Sequence, residues 1–253
     1  MKQLIVFDFD WSFVDQDTDR WVFEVLSTEL RRKLQERKSS QNTGIQCTPD
    51  VVDQTMYDLF KAGFTREDVS GALRILPFHP AMKRAVLSLK ERSPETTFIC
   101  LSNSNEIYIG TILAKHGLTD LFDVIITNPA RWDDQHPDLI HVGRRLPASS
   151  PPHGCSVGCL ANMCKGDELD AYLAAHGGRD SFKRIAYVGD GANDFCPLLR
   201  MRSGDVAYVR KGFELAEKVV HEKTREDGKK AGLKVDVKFW EQAWEIDEYF
   251  QKL

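Results

Sequence analysis

Two aspartates, Asp8 and Asp10, directly follow the apolar run Leu4–Phe7 and flank Phe9. If that run is a strand and its geometry continues, both carboxylates lie on one side, because alternate side chains of a strand share a face. Carboxylates so close together repel each other unless a cation lies between them. Mg²⁺ meets that need because it binds oxygen ligands. The pair therefore indicates a cation site, and a solvated acidic turn is the alternative.

Polar residues also follow two other apolar runs. Ser102 comes directly after Phe98–Leu101, and a glycine-rich turn, residues 189–194, comes after Ile185–Val188. Lys165 begins a segment with helical spacing of apolar residues. Because ligands of open α/β sheets bind where parallel strands end, we expect these groups at one edge of one sheet. Carboxylates, a hydroxyl and an ammonium group would meet there.

Five short apolar runs are continuous rather than alternating, which is typical of strands buried on both faces of a parallel sheet. Segments with helical spacing lie between them, and three of these begin at Thr48, Thr65 and Pro80. This alternation predicts an α/β fold with a doubly wound, mainly parallel, Rossmann-like sheet. The predicted strands are Leu4–Phe7, Phe98–Leu101, Val124–Ile126, Ile185–Val188 and Val206–Val209.

The stretch between the first two predicted strands is far longer than a crossover requires. Roughly 90 residues separate them, whereas a crossover takes about 10–12. Much of the stretch has helical spacing, and the polar tract Lys38–Cys47 is predicted to connect two of its helices. The sequence therefore predicts a core formed by residues 1–13 and 93–253, with a helical subdomain inserted at residues 14–92.

Two other stretches depart from the alternation of strands and helices. The segment Pro129–Pro152 is rich in proline, histidine, aspartate and arginine, and we expect a long loop or a small β excursion there. The C-terminal segment Val237–Leu253 contains Trp240, Trp244 and Phe250. It is predicted to be a helix that packs on the core.

The order of the polar motifs resembles the four motifs of the haloacid-dehalogenase superfamily: Asp8-Phe9-Asp10-x-Ser12, Ser102, Lys165 and Gly189-Asp190-Gly191-x-Asn193-Asp194. Within this superfamily the chain resembles the group of phosphoethanolamine/phosphocholine phosphatases and pyridoxal-phosphate phosphatases. That closer resemblance is carried by three stretches: Asp15–Asp19, Ala161–Lys165 and Gly189–Pro197. It extends from residue 4 to about residue 210.

The resemblance implies a phosphoric monoester hydrolase that requires Mg²⁺. It would hydrolyse a small phosphomonoester, such as phosphoethanolamine, phosphocholine or pyridoxal phosphate, through an aspartyl-phosphate intermediate. Asp8 would be the nucleophile. Asp10 would protonate the leaving alkoxide and later deprotonate the attacking water. Ser102 and Lys165 would hold the phosphoryl oxygens and stabilise charge in the transition state.

The same resemblance implies the ligands of the metal. Mg²⁺ would be held by Asp8, the backbone carbonyl of Asp10 and Asp190. Asp194 would orient metal-bound water or the lysine ammonium group, and Asn193 would assist through an amide hydrogen bond.

In this superfamily the insertion after the first motif is a cap that excludes water and contacts the leaving group. Asp19 matches an acid that faces the cationic head group in the choline/ethanolamine phosphatases, whereas Asn103 occupies the position of a second such acid. Loss of one carboxylate weakens attraction for an ammonium group by roughly 1 kcal/mol in a partly buried site. We therefore expect a lowered preference for phosphocholine. Trp11 would either stack on an aromatic substrate or pack under the cap.

A second candidate site combines one imidazole with three thiols within twelve residues: His153, Cys155, Cys159 and Cys164. These residues resemble a Cys₃His zinc set, although the C-x₃-C spacing is looser than the common C-x₂-C. The alternative is an inherited loop architecture without bound metal. Cys100 and Cys196 are predicted to be small buried apolar side chains, and Cys47 belongs to the polar connector.

Composition excludes several classes of protein. Hydrophobic residues make up 42% of the 253 residues and charged residues 28%, as in ordinary globular proteins. The 34 lysines and arginines and 38 aspartates and glutamates give a net charge of −4, which argues against a nucleic-acid-binding surface. Leu4–Phe7 is too short for a signal-peptide core, and no run approaches the roughly 20 apolar residues of a membrane span. We expect a cytoplasmic protein with reduced cysteines and no membrane or nucleic-acid partner.

Two other functions stay open. A phosphotransferase or mutase of the same superfamily would pass the phosphoryl group to another hydroxyl instead of water. A catalytically silent ligand-binding protein would keep the fold without turnover, but the complete set Asp8, Asp10, Lys165 and Asp190 argues against it. The physiological substrate and the oligomeric state are left open by the sequence.

Overall fold

Within the part of the chain that the structure describes, eight strands form two sheets. The computed structural model of the chain describes residues 2–40, 48–155, 157, 159–224 and 232–253. Its strands are β1 (Gln3–Phe7), β2 (Thr97–Asn105), β3 (Val124–Asn128), β4 (Ala130–Trp132), β5 (Ile140–Val142), β6 (Arg184–Gly189), β7 (Val206–Arg210) and β8 (Asp236–Trp240). Six of them pair in the order β3-β2-β1-β6-β7-β8, and all of these pairs are parallel. The predicted α/β fold with a parallel sheet is confirmed.

The central strand β1 shows why these sequences form strands. Each residue of Leu4–Phe7 is fully buried. Ile5 and Phe7 pack into one hydrophobic cluster, and Leu4 and Val6 pack into another. Because alternate side chains point to opposite faces, a continuous apolar run can serve two layers of helices at once. All five predicted strands are confirmed, and their carboxyl ends lie at the same edge of the sheet.

Ten helices accompany the strands within the described ranges: α1 (Thr18–Leu26), α2 (Thr28–Ser39), α3 (Thr48–Lys61), α4 (Arg66–Arg74), α5 (Pro80–Arg92), α6 (Glu106–His116), α7 (Lys165–Ala175), α8 (Phe195–Leu198), α9 (Glu214–Thr224) and α10 (Ala243–Phe250). Short 3₁₀ segments occur at Arg179–Ser181 and Ala192–Asp194. None of the helices in these ranges is both long and apolar enough to span a bilayer.

The helices α1 to α5 all lie between β1 and β2 in the chain. A capping box between Thr65 and Asp68 starts α4, and Pro80 starts α5 behind the cap residue His79. Both starts agree with the sequence prediction. In space, α1 packs on α4 and α2 on α3, whereas α5 packs against α10. Of the predicted connector Lys38–Cys47, the first two residues belong to α2, and residues 41–47 with Cys47 lie outside the described residues.

The C-terminal prediction is wrong in its first half. Asp236–Trp240 is the sixth parallel strand of the sheet, paired with β7, and only Ala243–Phe250 is helical. As an edge strand β8 carries alternating exposed and half-buried residues, so its apolar residues Val237 and Phe239 have a period of two and not of 3.6. A capping box between Gln242 and Glu245 then starts the helix.

The irregular segment Pro129–Pro152 contains the small β excursion that the sequence allows. Strands β4 and β5 pair antiparallel, with Arg131 opposite His141. The backbone N–H of Val142 donates to Asp53 Oδ1 at 2.9 Å, which ties this hairpin to α3. The hairpin therefore connects the edge strand β3 with the helices that follow β1.

Candidate active site

Asp8 occupies the position directly after the central strand. Its backbone N–H donates to the carbonyl of Val188 at 2.9 Å, so the β1–β6 pairing continues up to the aspartate. Its Oδ1 atom accepts from the backbone N–H of Phe9 at 2.7 Å. The side chain is therefore fixed at the edge of the sheet, and Asp8 is only 6% exposed.

Asp190 and Asp194 come from the turn after the neighbouring strand β6. Asp190 Oδ1 accepts from the Ser12 hydroxyl at 2.8 Å, which joins the first and last motifs. Asp194 Oδ2 accepts from the backbone N–H groups of Asp190 at 3.1 Å and Gly191 at 2.9 Å. A Cβ added to Gly189 would lie 2.8 Å from Asp194 Cγ, so the close approach of this carboxylate requires a glycine.

Lys165, the first residue of α7, is fully buried between two of these acids. Its Nζ lies 2.8 Å from Asp8 Oδ2 and 2.7 Å from Asp194 Oδ1. The Tyr187 hydroxyl donates to the same Asp194 Oδ1 at 2.6 Å. Asp194 therefore lies in contact with the lysine ammonium group, as one of its two predicted roles requires. The sequence analysis missed Tyr187, although a phenol in a buried strand needs a polar partner.

This group contains three buried carboxyl groups but only one buried lysine. Oxygen atoms of Asp8, Asp190 and Asp194 lie within 4.8 Å of one another. Burial and the charge of Asp194 raise the pKa of Asp8 to about 7, against the opposing effect of Lys165. Burial and the charges of Asp8 and Asp194 hold the pKa of Asp190 well above its usual range. Burial alone would lower the pKa of Lys165, but Asp194 and Asp8 raise it instead, so the lysine stays charged. A divalent cation fits this surplus of buried carboxylate oxygen.

Asp10 is half-buried and faces the start of α1. Its carboxylate accepts from the backbone N–H and from the hydroxyl of Thr18, each at 3.2 Å. The Thr18 hydroxyl also lies 2.7 Å from Ser104 Oγ. Burial, followed by the charges of Asp17, Asp19 and Asp8, holds the pKa of Asp10 well above its usual range. The carboxyl group therefore holds its proton to a higher pH than an exposed aspartate does.

Ser102 and Asn103 lie in the last part of the neighbouring strand β2. The Ser102 side chain is 1% exposed, and its Oγ accepts from the backbone N–H of Ser104 at 3.2 Å. The carbonyl of Asn103 accepts from Asn128 Nδ2 at 2.6 Å, and the carbonyl of Ser104 accepts from the same amide at 3.0 Å. Asn103 Oδ1 is buried without a hydrogen-bond partner among the described residues. Asn128, which the sequence analysis did not single out, therefore holds the end of this strand in place.

Asp19 lies on α1 and is 7% exposed. Burial raises its pKa to about 7, with Lys38 opposing and Asp17 reinforcing the shift. A carboxyl group with this pKa changes its charge near neutral pH.

Trp11 is half-buried and packs against Phe213 and Arg210. Its ring centroid lies 5.5 Å from that of Phe213, and the Arg210 guanidinium lies 5.8 Å from the Trp11 ring centroid. Arg210 also donates to the carbonyl of Trp11 and, at 2.8 Å, to Asp15 Oδ1. These contacts hold Trp11 at φ 54°, in the left-handed region that side chains other than glycine rarely adopt. Asn193 lies in the 3₁₀ turn, where a Cβ on Gly191 would come within 2.7 Å of its Oδ1.

The thiols of the second candidate site meet, but with a different fourth member. The sulfur atoms of Cys155, Cys159, Cys164 and Cys196 lie within 4.8 Å of one another. His153 Nε2 lies 2.7 Å from the carbonyl of Leu160, and its Nδ1 accepts from the Cys155 N–H at 3.4 Å. The structure therefore places Cys196, which the sequence predicts as an apolar side chain, beside the three other thiols. Its position beyond the last motif gave no signal, because 32 residues separate it from Cys164.

Comparison with known proteins agrees with this geometry. A sequence model of the family described as "Putative Phosphatase" matches residues 3–253. The chain is 31% identical over 248 residues to "Thiamine phosphate phosphatase-like protein" of Arabidopsis thaliana, covering 96% of this chain and 92% of the relative. It is 30% identical over 217 residues to "Pyridoxal phosphate phosphatase PHOSPHO2" of Rattus norvegicus, covering 85% of each. "Inorganic pyrophosphatase 2" of Arabidopsis thaliana is 32% identical over 213 residues, covering 83% of this chain and 71% of the relative.

Solved structures share the fold. A substrate-bound phosphoserine phosphatase complex matches with a TM-score of 0.59 and 16% identity, covering 98% of both chains. A haloacid-dehalogenase family hydrolase from Salmonella enterica matches with a TM-score of 0.56 and 15% identity, covering 85% of this chain and 64% of its own. Together with the relatives, these matches confirm the resemblance seen in the motifs. The chain belongs to the Putative Phosphatase family, and it is a phosphatase whose fold is shared with a haloacid-dehalogenase family hydrolase and a phosphoserine phosphatase.

Proposed function

We propose that the protein hydrolyses a small phosphomonoester through an aspartyl-phosphate intermediate and requires Mg²⁺. One observation carries this proposal: Lys165 lies buried between Asp8 and Asp194, beside the further carboxylate of Asp190. Such a group combines a nucleophile, a cationic contact for phosphoryl oxygens and ligands for a cation at one sheet edge.

In the first step an Asp8 carboxylate oxygen forms a bond to phosphorus while the bond between phosphorus and the ester oxygen breaks. Asp10 gives its proton to the departing alkoxide, which leaves as an alcohol. The raised pKa of Asp10 suits this role, since the group must be protonated when the step begins. Ser102 and Lys165 contact the phosphoryl oxygens and stabilise the charge that develops on them.

In the second step water attacks the aspartyl-phosphate. Asp10, now deprotonated, takes a proton from the water as its oxygen bonds to phosphorus. The bond between phosphorus and Asp8 breaks, which releases inorganic phosphate and regenerates the carboxylate. Thr18 holds Asp10 through two hydrogen bonds, so the same carboxyl group can serve in both steps.

The residues that would hold Mg²⁺ are Asp8, the carbonyl of Asp10 and Asp190. The carboxylate of Asp194 already binds Lys165, Tyr187 and two backbone N–H groups, which favours a supporting role for it. When bound, the cation would neutralise the phosphate and allow an anionic nucleophile to approach.

Substrate choice belongs to the helices that follow β1. We propose that residues 14–92 form the cap and that Asp19 contacts the leaving group, because Asp19 is buried and its charge acts on Asp10. Asn103, with its unpaired buried Oδ1, would accept a hydrogen bond from the substrate. The relatives carry the names of pyridoxal phosphate, thiamine phosphate and inorganic pyrophosphate enzymes, so these substrates join phosphoethanolamine and phosphocholine as candidates.

The test measures phosphate release from p-nitrophenyl phosphate and from each candidate after dialysis against metal-free buffer and after return of Mg²⁺. We expect activity only with Mg²⁺, and a loss of at least about three orders of magnitude in Asp8→Asn. Asp134→Asn is the matched control, because it makes the same substitution at an exposed aspartate outside the site. Full activity of Asp8→Asn would overturn the mechanism. Transfer of the phosphoryl group to an added alcohol, in place of release as inorganic phosphate, would identify a phosphotransferase.

The same panel tests specificity. With Asn103 in place of a second acid, we expect kcat/KM for phosphocholine to exceed that for a neutral-headed phosphate by less than about tenfold. A strong preference for the ammonium substrate would contradict the assigned role of Asn103.

A further inference from the structure

Four cysteine sulfurs converge away from the acidic site. Cys155 and Cys159 lie in the segment before α7, Cys164 is the residue before Lys165, and Cys196 lies in α8. Cys196 Sγ is 3.6 Å from Cys155 Sγ and 3.6 Å from Cys164 Sγ. All four sulfurs lie within 4.8 Å of one another, although they come from segments far apart in the chain.

These distances match one kind of site. A tetrahedral zinc ion with Zn–S bonds of about 2.3 Å holds its sulfurs about 3.8 Å apart. A disulfide brings two sulfurs to about 2.05 Å, and it joins them in pairs. The four thiols are free, and one sulfur lies at 3.6 Å from two others. The arrangement is that of four ligands around one centre and not of two pairs.

Two of the sulfur atoms have hydrogen-bond donors beside them. Arg200 Nη2 lies 3.9 Å from Cys196 Sγ, and the backbone N–H of Asp167 donates to the Cys164 thiol. Donors of this kind stabilise metal-bound thiolates. A Cβ added to Gly166 would lie 2.5 Å from Cys196 Sγ, so the start of α7 leaves room for that sulfur by lacking a side chain.

We propose that Cys155, Cys159, Cys164 and Cys196 bind one structural Zn²⁺ ion. Four protein ligands close the coordination shell, and a closed shell is typical of structural rather than catalytic zinc. Thiolates select zinc, whereas the carboxylate oxygens of the acidic site select magnesium, so the two metals would occupy separate sites. Imidazole is not required, because both nitrogens of His153 face partners of the local loop.

The position of this site gives it a consequence for the acidic group. Cys164 precedes Lys165 directly, and Cys196 follows Asp194 by two residues. A metal bound to both would tie the segment that carries the lysine to the turn that carries its counter-ion. The zinc ion would thereby position the pair whose atoms lie 2.7 Å apart.

The first experiment uses the full chain, purified through a tag without histidine and without chelators. Elemental analysis should find about one zinc per chain. Titration with a mercurial thiol reagent should release that zinc after about four equivalents, detected with a metallochromic dye. After growth in cobalt, the protein should show the thiolate-to-cobalt charge-transfer band of a tetrahedral thiolate site. These three measurements need no variant to fold.

The second experiment compares variants. Cys155→Ser and Cys196→Ser should lose the zinc, whereas Cys100→Ala should retain it, because Cys100 is a buried thiol of β2 outside the group. Gly166→Ala should weaken zinc binding by displacing Cys196. The proposal would be overturned by zinc-free protein grown in zinc-supplemented medium, by a disulfide within the group, or by full zinc retention in both serine variants.

Discussion

Asp194 serves four donors with two oxygen atoms. Oδ1 accepts from Lys165 and Tyr187, and Oδ2 accepts from two backbone N–H groups of its own turn. A carboxylate so fully engaged has little capacity left for a metal ion. It acts instead as a fixed counter-ion that keeps Lys165 charged and aimed at Asp8. At the scale of single residues, the hydrogen-bond partners of each acid therefore indicate whether it is free to bind a metal ion.

Asp19 leads to a prediction of pH dependence. With a pKa of about 7, its carboxyl group gains a negative charge as pH rises through neutrality. If it faces the substrate, kcat/KM for phosphoethanolamine should rise between about pH 6 and pH 8 relative to that for an alkyl phosphate with an uncharged head group. Taking the ratio of the two substrates removes the titration of the shared phosphate group and of Asp8 and Asp10.

Asp19→Asn is the matched test of that assignment. The variant is neutral at every pH, so the ratio of the two kcat/KM values should become flat and should fall to its low-pH value. A ratio independent of pH in the unaltered protein would show that Asp19 does not face the ammonium group.

At the scale of elements, the start of α1 acts as a holder for Asp10. Asp17 caps the helix by accepting from the Arg20 N–H at 2.9 Å, and Thr18 then directs both its N–H and its hydroxyl at Asp10. The Thr18 hydroxyl also lies 2.7 Å from Ser104 Oγ, so α1 contacts the end of β2 at this point. Asp10, the proposed general acid, therefore contacts the helix that also carries Asp19.

Thr18→Val tests this holder because it removes the hydroxyl and keeps the branched shape. We expect kcat to fall about tenfold with KM little changed, since a loosely held acid transfers its proton less effectively. Steady-state kinetics at saturating Mg²⁺ measure both constants. Thr18→Ser keeps the hydroxyl and should retain most of kcat. Equal kcat values for the valine and serine variants would show that the hydroxyl has no positioning role.

The elements also show how far sequence reasoning reaches. Buried strands such as β1 and β6 are readable because each consists of a continuous apolar run, and the motifs follow from the rule that parallel strands end at one edge. The edge strand β8 is not readable in this way, since its exposed face interrupts the run. Tyr187, Thr18 and Asn128 are likewise hidden, because their roles depend on partners that only the tertiary structure supplies.

Cys196 illustrates the same limit. In the sequence it is a single small side chain that follows the last motif. In the folded chain its sulfur lies beside three thiols of the segment before α7. His153 shows the reverse, since its spacing suits a zinc ligand while its ring nitrogens contact the local backbone. Spacing identifies candidate donors, but the choice among them is made by the packing of α7 on α8.

At the scale of the whole molecule, we expect the acidic site to lower the free energy of unfolding when no cation is bound. Three carboxylates are buried at one edge of the sheet with one buried lysine between two of them. Burial, reinforced by their mutual repulsion, raises the pKa values of Asp8 and Asp190 in the folded chain. Burial and repulsion of these carboxylates therefore reduce the free energy of unfolding, and a bound cation would restore it.

The raised pKa of Asp8 predicts how stability depends on pH and on Mg²⁺. Asp8 has a pKa of about 7 in the folded protein and the ordinary value of 3.8 in an unfolded chain. Between these values the unfolded chain has released a proton that the folded chain still holds, so the free energy of unfolding falls as pH rises from about 4 to about 7.

In Mg²⁺-free buffer without chelator, which leaves any zinc in place, we expect Tm to drop by several degrees between pH 5 and pH 8. Added Mg²⁺ should restore Tm at pH 8 and change it little at pH 5, because protonated acids bind the cation weakly. Asp8→Asn should reduce both effects, since the substituted amide cannot ionise. Thermal unfolding followed by circular dichroism measures all of these values, and an equal rise of Tm with Mg²⁺ at both pH values would refute the assignment of this pH dependence to Asp8.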